Sequence, residues 1–155
     1  MPIIQFNLVY PDIAARETKA LGVTNDEVIP DGAYQFEEMF CDNPQCDCRE
    51  AIIVVYEQSL GDVPLATIRY HLETAELLGN KLGLCRTCRS GAELMQDGDQ
   101  SVIAEPLLDL FVECISKTNY AQTLSRHYKM FKAAVARKQI DTVSRRNVGH
   151  TKKRR

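Results

Sequence analysis

Three cysteines within eight positions, Cys41, Cys46 and Cys48 of "MFCDNPQCDCREAIIVVYE", stand between two segments of strand-like pattern, and no other stretch restricts the fold as tightly. On the N-terminal side, "VIPDGAYQFEEMFC" joins a Pro-Asp-Gly turn signal to a strand expected from Ala33 to Cys41. On the C-terminal side, "REAIIVVYEQ" is a β-branched run, and "VPLATIRYHL" offers a further strand after a Gly61-Asp62 turn. The cysteines are therefore expected at the tip of a β-hairpin, where the loop from Cys41 to Cys48 forms a metal-binding knuckle.

A metal accounts for these thiols better than disulfides do. The six cysteines of the 155-residue chain cluster instead of spreading as a covalent framework would, and a chain of this length buries a core without staples. A second pair, Cys85-x2-Cys88 in "GLCRTCRSG", has the spacing with which two sulfurs bite one zinc ion. Five candidates, Cys41, Cys46, Cys48, Cys85 and Cys88, compete for four tetrahedral positions; either Cys41 and Cys46 or Cys46 and Cys48 would join the second pair. Cys114 lies on an apolar helical face and reads as core.

Two enzymatic alternatives share these residues. "HLE" at 71–73 followed by "CRTC" at 85–88 is similar to the zinc deaminase pattern of a His, a proton-shuttling Glu and two Cys. Only 11 residues separate Glu73 from Cys85, too few for the helix and buried strand that pattern needs, and Leu84 stands where it has proline. His71 is kept as a reserve zinc ligand. Thiol exchange by "CRTC" would call for a strand before it and a helix after it, and the pattern here is a helix before and a Gly-Ala loop after. No phosphate loop, nucleophile elbow or paired-His helix motif occurs. His127 reads as a satisfied core or boundary histidine.

Elsewhere, "PIIQFNLVY" places Ile4, Phe6, Leu8 and Tyr10 at period two, the pattern of a first strand. "PDIAARETKALG" follows as a short helix with Asp12 as cap and Gly22 as stop, and a helix is expected over 72–82. After the polar loop "QDGDQS", apolar residues recur at helical spacing over 103–117 and 119–140, an antiparallel helix pair joined around 117–119. Together these elements predict an α+β fold: a single zinc-binding domain over 1–142, with a small antiparallel sheet bearing the knuckle and covered by C-terminal helices, and then a basic disordered tail over 143–155.

Charge is distributed unevenly. Residues 1–116 carry 7 Lys+Arg against 20 Asp+Glu, whereas residues 117–155 carry 12 Lys+Arg against one acid, Asp141. Lys129, Lys132, Arg137 and Lys138 read as the solvated face of a helix. Arg145, Arg146, Lys152, Lys153, Arg154 and Arg155 put six cations into eleven residues, a pattern that attracts phosphate backbones through counterion release. The alternative is docking of these cations on the acidic part of the same chain. No run of about 18 uncharged apolar residues points to a membrane span, and no secretory leader pattern opens the chain, so a cytoplasmic setting is expected.

The stretches "IPDGAYQFEEMFCDNPQCDCREAIIVV", "LATIRY", "EPLLDLFVECI" and "YAQTLSRHYKMFK", over roughly residues 29–133, resemble a family of small uncharacterised bacterial Cys-rich proteins. Some of its members are carried as passenger genes of insertion elements, and some end in a Sec-C type zinc knuckle. The resemblance implies a cytoplasmic zinc-binding protein and carries Cys41, Cys46 and Cys48 over as the shared cysteines; it supplies no activity. Some members bear a resolvase-like name, but the serine-recombinase constellation is missing here. The ending "NVGHTKKRR" lacks Sec-C cysteines, which removes one zinc site, and Cys85-x2-Cys88 is an addition that strengthens the other. The expected function is a zinc-stabilised binding module on or near nucleic acid, within a larger protein or ribonucleoprotein complex linked to a mobile element or its defence counterpart. A metal- or thiol-dependent enzyme is the alternative.

Overall fold

Alternation of apolar and polar residues builds a long strand, β3 (Gly32–Cys41), on which the rest of the chain is organised. The computed structural model describes residues 3–72 and 91–153, with side chains described as far as Arg137. The sheet is six-stranded and antiparallel, in the order β1 (Ile3–Gln5), β3, β4 (Glu50–Glu57), β5 (Ala66–His71) and β6 (Ala92–Leu94), with β2 (Lys19–Val23) also paired to β3. The fold class is α+β.

Register follows burial. Phe36 stands opposite Val55 and Glu38 opposite Ile53, while Ile53 faces Ile68 and Ala51 faces Tyr70. One face of the sheet is thereby lined by Tyr34, Phe36, Phe40, Ile53, Val55, Ile68 and Tyr70, all buried. Helices α3 (Ala104–Lys117) and α4 (Tyr120–Lys153) cover it. Phe111 of α3 meets Phe36 and Tyr70 edge-on at 5.5 Å, and Tyr128 and Phe131 of α4 meet Phe40 at 6.0 and 5.4 Å. These interlocked rings and aliphatics form the core, and Cys114 belongs to it, as its place on the apolar face of α3 predicts.

The N-terminal segment departs from expectation. The strand stops at Gln5; Phe6–Val9 form a helical turn, α1, and Pro11–Glu17 form α2. Period two fails because Phe6 is drawn into the core, where its ring meets Phe40 edge-on, while Leu8 is left exposed. Pro11 rather than Asp12 marks the start of α2, its missing N–H costing nothing at a helix start. Gly22 does not stop the helix. Thr18 is already extended, and Lys19–Val23 pair with Gly32–Phe36 as β2. β1 and β2 thus share one edge of β3, with β1 opposite Met39–Cys41 and the two helices bulging out between them.

The expected helix over 72–82 lies outside the described residues apart from Leu72. The loop after β6 is more ordered than its composition suggests. The side-chain amide of Gln100 accepts from the Thr67 N–H (3.2 Å) and donates to the Thr67 and Met95 carbonyls (2.8 Å each), standing in for a strand acceptor at the Thr67 N–H. The two C-terminal helices are joined by Thr118 and Asn119, and their rings meet at Phe111 and Tyr120. The backbone of α4 continues as helix through Lys153, into the segment for which the absence of apolar period suggests a disordered tail. No proline interrupts it.

Candidate functional site

β3 and β4 form the expected hairpin, and residues 42–49 are its tip. Local chemistry folds the tip back on itself. Asn43 opens an Asx turn, its side chain accepting from the Gln45 N–H (3.0 Å) and its carbonyl from the Cys46 N–H (3.1 Å). Arg49 takes the left-handed conformation (φ 51°), and its carbonyl accepts from the Leu72 N–H at 2.8 Å. These constraints turn the chain so that Cys41, at the end of β3, and Cys46 and Cys48, in the loop, bring their sulfurs within 4.8 Å of one another. All three, with Cys114, are thiols.

Three sulfurs gathered in this way are placed to hold a metal ion. The arrangement takes in all three candidates of the first cluster instead of two, so a tetrahedral site needs one further ligand and not a complete second pair. Cys85 and Cys88 lie outside the described residues, as does Glu73. His71, the reserve ligand, ends β5 beside Glu50 (3.5 Å) and is not in the three-sulfur group. The thiols are electrostatically unequal. Contacts from the Cys48 side chain and backbone lower the Cys46 thiol, with smaller help from Cys41 and the Lys132 ammonium. Burial raises Cys48, against the pull of the Glu50 backbone N–H.

Helix α4 presses on this loop through two residues one turn apart. Tyr128 lies beside Arg49, Asp47 and Cys48, and burial raises its phenol. The Lys132 ammonium donates to the carbonyls of Cys41 and Asn43, both at 2.9 Å, and lies 5.8 Å from the centre of the Tyr128 ring. The sequence suggests Lys132 as a solvated helix face; in the structure it is a strut.

A second polar cluster lies deeper. Buried Glu38 accepts from the Tyr120 hydroxyl (3.2 Å) and pairs with Nδ1 of His127 (2.6 Å), while Nε2 of His127 faces Glu17 (3.3 Å), which also holds Arg126 (2.6 Å). The His127 ring stacks on Phe6 at 4.3 Å. His127 is therefore a satisfied core histidine, as expected. Of its partners, Glu38 is signalled in the sequence as a glutamate at the inward phase of "YQFEEMF". Beside this cluster, a shallow cleft of about 290 Å³ is lined by Glu17, Lys19, Asn119, Tyr120, Thr123 and Arg126.

Of the six cations expected to contact nucleic acid, Arg145, Arg146, Lys152 and Lys153 fall on the helical backbone of α4; Arg154 and Arg155 lie outside the described residues. No described helix is long and apolar enough to cross a membrane. No family model, curated protein or solved structure matches the chain.

Proposed function

We propose that this protein is a zinc-stabilised binding module acting on or near nucleic acid, as part of a larger complex linked to a mobile element or its defence counterpart. The observation that carries the metal part of the reading is the convergence of the Cys41, Cys46 and Cys48 sulfurs within 4.8 Å. Zinc–sulfur bonds of about 2.3 Å at tetrahedral corners put neighbouring sulfurs about 3.8 Å apart, so the thiols need close by only about 1 Å on an ion. Thiolates suit zinc, and Cys85 or Cys88 would supply the fourth sulfur. A site closed by four sulfurs leaves no coordination position for substrate and acts structurally, fixing the hairpin tip under α4. The nucleic-acid part of the reading rests on the run of cations after residue 116, most of which fall on the backbone of α4.

Elemental analysis after anaerobic purification tests the metal. About one zinc per chain is expected, falling to near zero in Cys46→Ser and Cys48→Ser and unchanged in Cys114→Ser. Cobalt substitution should give intense thiolate-to-metal charge-transfer bands. A chain free of metal under these conditions, or one whose metal survives both loop substitutions, would refute the reading.

A further inference from the structure

We propose that Lys132 is a positioning residue for the metal centre, holding the cysteine loop in its metal-receiving shape from helix α4. The inference rests on the reading of Cys41, Cys46 and Cys48 as metal ligands. Its basis is the pair of hydrogen bonds from the Lys132 ammonium to the Cys41 and Asn43 carbonyls, each 2.9 Å. Those two acceptors matter for different reasons. The Cys41 carbonyl belongs to a ligand at the end of β3, so fixing it fixes where the rigid side of the site begins. The Asn43 carbonyl also accepts the Cys46 N–H, so one oxygen ties the lysine to the turn that delivers a second ligand.

The ammonium thus ties the Cys41 carbonyl at the strand end to the Asn43 carbonyl of the loop turn, across 91 and 89 residues of chain. Its stem is restrained by helix α4, where Tyr128 packs on Phe40 one turn earlier and lends the ring over which the charge sits. Electrostatics act in the same direction. A divalent ion held by three or four thiolates carries net negative charge in a partly buried place, and a fixed cation beside it lowers the cost of assembling the site. Hydrogen bonds from outside the ligand set that orient metal ligands are commonly worth 10- to 100-fold in metal affinity.

The test uses the full chain and zinc alone, with affinity measured by competition against a chromophoric chelator. Lys132→Met keeps the stem and removes the donors; Lys132→Arg keeps charge and donors; Lys129→Met removes an exposed cation of the same helix that makes no bond to the loop. Lys132→Met is expected to weaken zinc binding about 10- to 100-fold, with Lys132→Arg recovering most of the loss and Lys129→Met matching wild type. The cobalt spectrum per bound ion should stay that of wild type, because the ligands are unchanged. Melting of the three metal-free variants checks that each is folded. Zinc affinity of Lys132→Met within about threefold of wild type overturns the role of Lys132 while leaving the metal site standing. An equal loss in Lys129→Met also overturns it, since general charge would then explain the effect. If wild type binds no zinc, both this inference and the metal reading fail.

Discussion

His127 concentrates the chain's most exacting chemistry at one residue: its ring is 1% exposed, lies flat on Phe6 and is held between the carboxylates of Glu38 and Glu17. Burial opposes charging of the ring, but the hydrogen bond and charge of Glu38, and then those of Glu17, outweigh it and leave His127 above its ordinary value. The sign follows. Stability from the protonated ring is complete below about pH 6.5 and is lost as pH rises through the raised folded value. Glu17 works in the opposite direction. Its hydrogen bond to Arg126 is the chief cause that holds its carboxyl down to about 2, so its contribution is present above the usual carboxylate range and fades as pH falls towards 2. Urea unfolding across pH should show greatest stability between these limits, and His127→Gln should flatten the alkaline decline; an unaltered decline would show that another group causes it. His127→Ala should cost about 3–5 kcal/mol, because Glu38 would remain buried without its closest cationic partner.

Backbone ladders join the six strands, and at the end of one of them a side chain takes the place of backbone. Gln100 accepts from the Thr67 N–H and donates to the Thr67 C=O, which the Met95 N–H also reaches, so the side chain completes the β5 ladder just past β6. Gln100→Ala would remove the protein partner that the Thr67 N–H has in this loop, and should cost about 1–3 kcal/mol. The neighbouring Gly98 is required for a separate reason: an added Cβ would lie 2.6 Å from Cβ of Thr67, too close for any side chain there. Gly98→Ala should therefore destabilise by about 1–3 kcal/mol through overpacking. Thermal melts of the two variants check these values. A Gly98→Ala protein as stable as wild type would mean that the loop yields freely and does not seat firmly on β5. The same logic explains the N-terminal half-strands, since Phe6 leaves the β3 edge to reach the core and the chain can rejoin that edge only after α2.

Across the whole molecule, the separation of charge sets the most consequential expectation. Residues 117–155 hold 12 Lys+Arg against one acid, and α4 carries most of this run as a single helix of 34 residues, about 50 Å long at 1.5 Å per residue. If Arg145, Arg146, Lys152, Lys153, Arg154 and Arg155 engage duplex DNA together, the affinity should fall with salt at a log–log slope approaching about five. Truncation after Ser144 should abolish most of that binding and leave zinc content unchanged. Titrations of both chains against labelled DNA and RNA at two salt concentrations measure this. Should truncation instead lower stability at low salt and spare binding, the cations serve to neutralise the acidic part of the chain; absence of binding by the full chain would leave a protein-interaction module.

Much of the molecule was determined locally and could be read in the sequence. The β3–β4 hairpin, the clustered thiols at its tip, the Gly61-Asp62 turn, α3 and the core position of Cys114 all follow from period, turn chemistry and ligand spacing within a few residues. What the tertiary structure alone decided joins residues far apart. Glu38 meets His127 across 89 residues, Lys132 reaches Cys41 across 91, and Tyr10 donates its hydroxyl to Met130 across 120. Such contacts leave only faint traces in a single chain, because a lysine at a helix surface has the same local pattern whether its ammonium meets water or two carbonyls. The same holds for the N-terminus: alternation makes Ile4 to Tyr10 a good strand in isolation, and it gives way where Phe6 turns inward to be buried against Phe40 and His127.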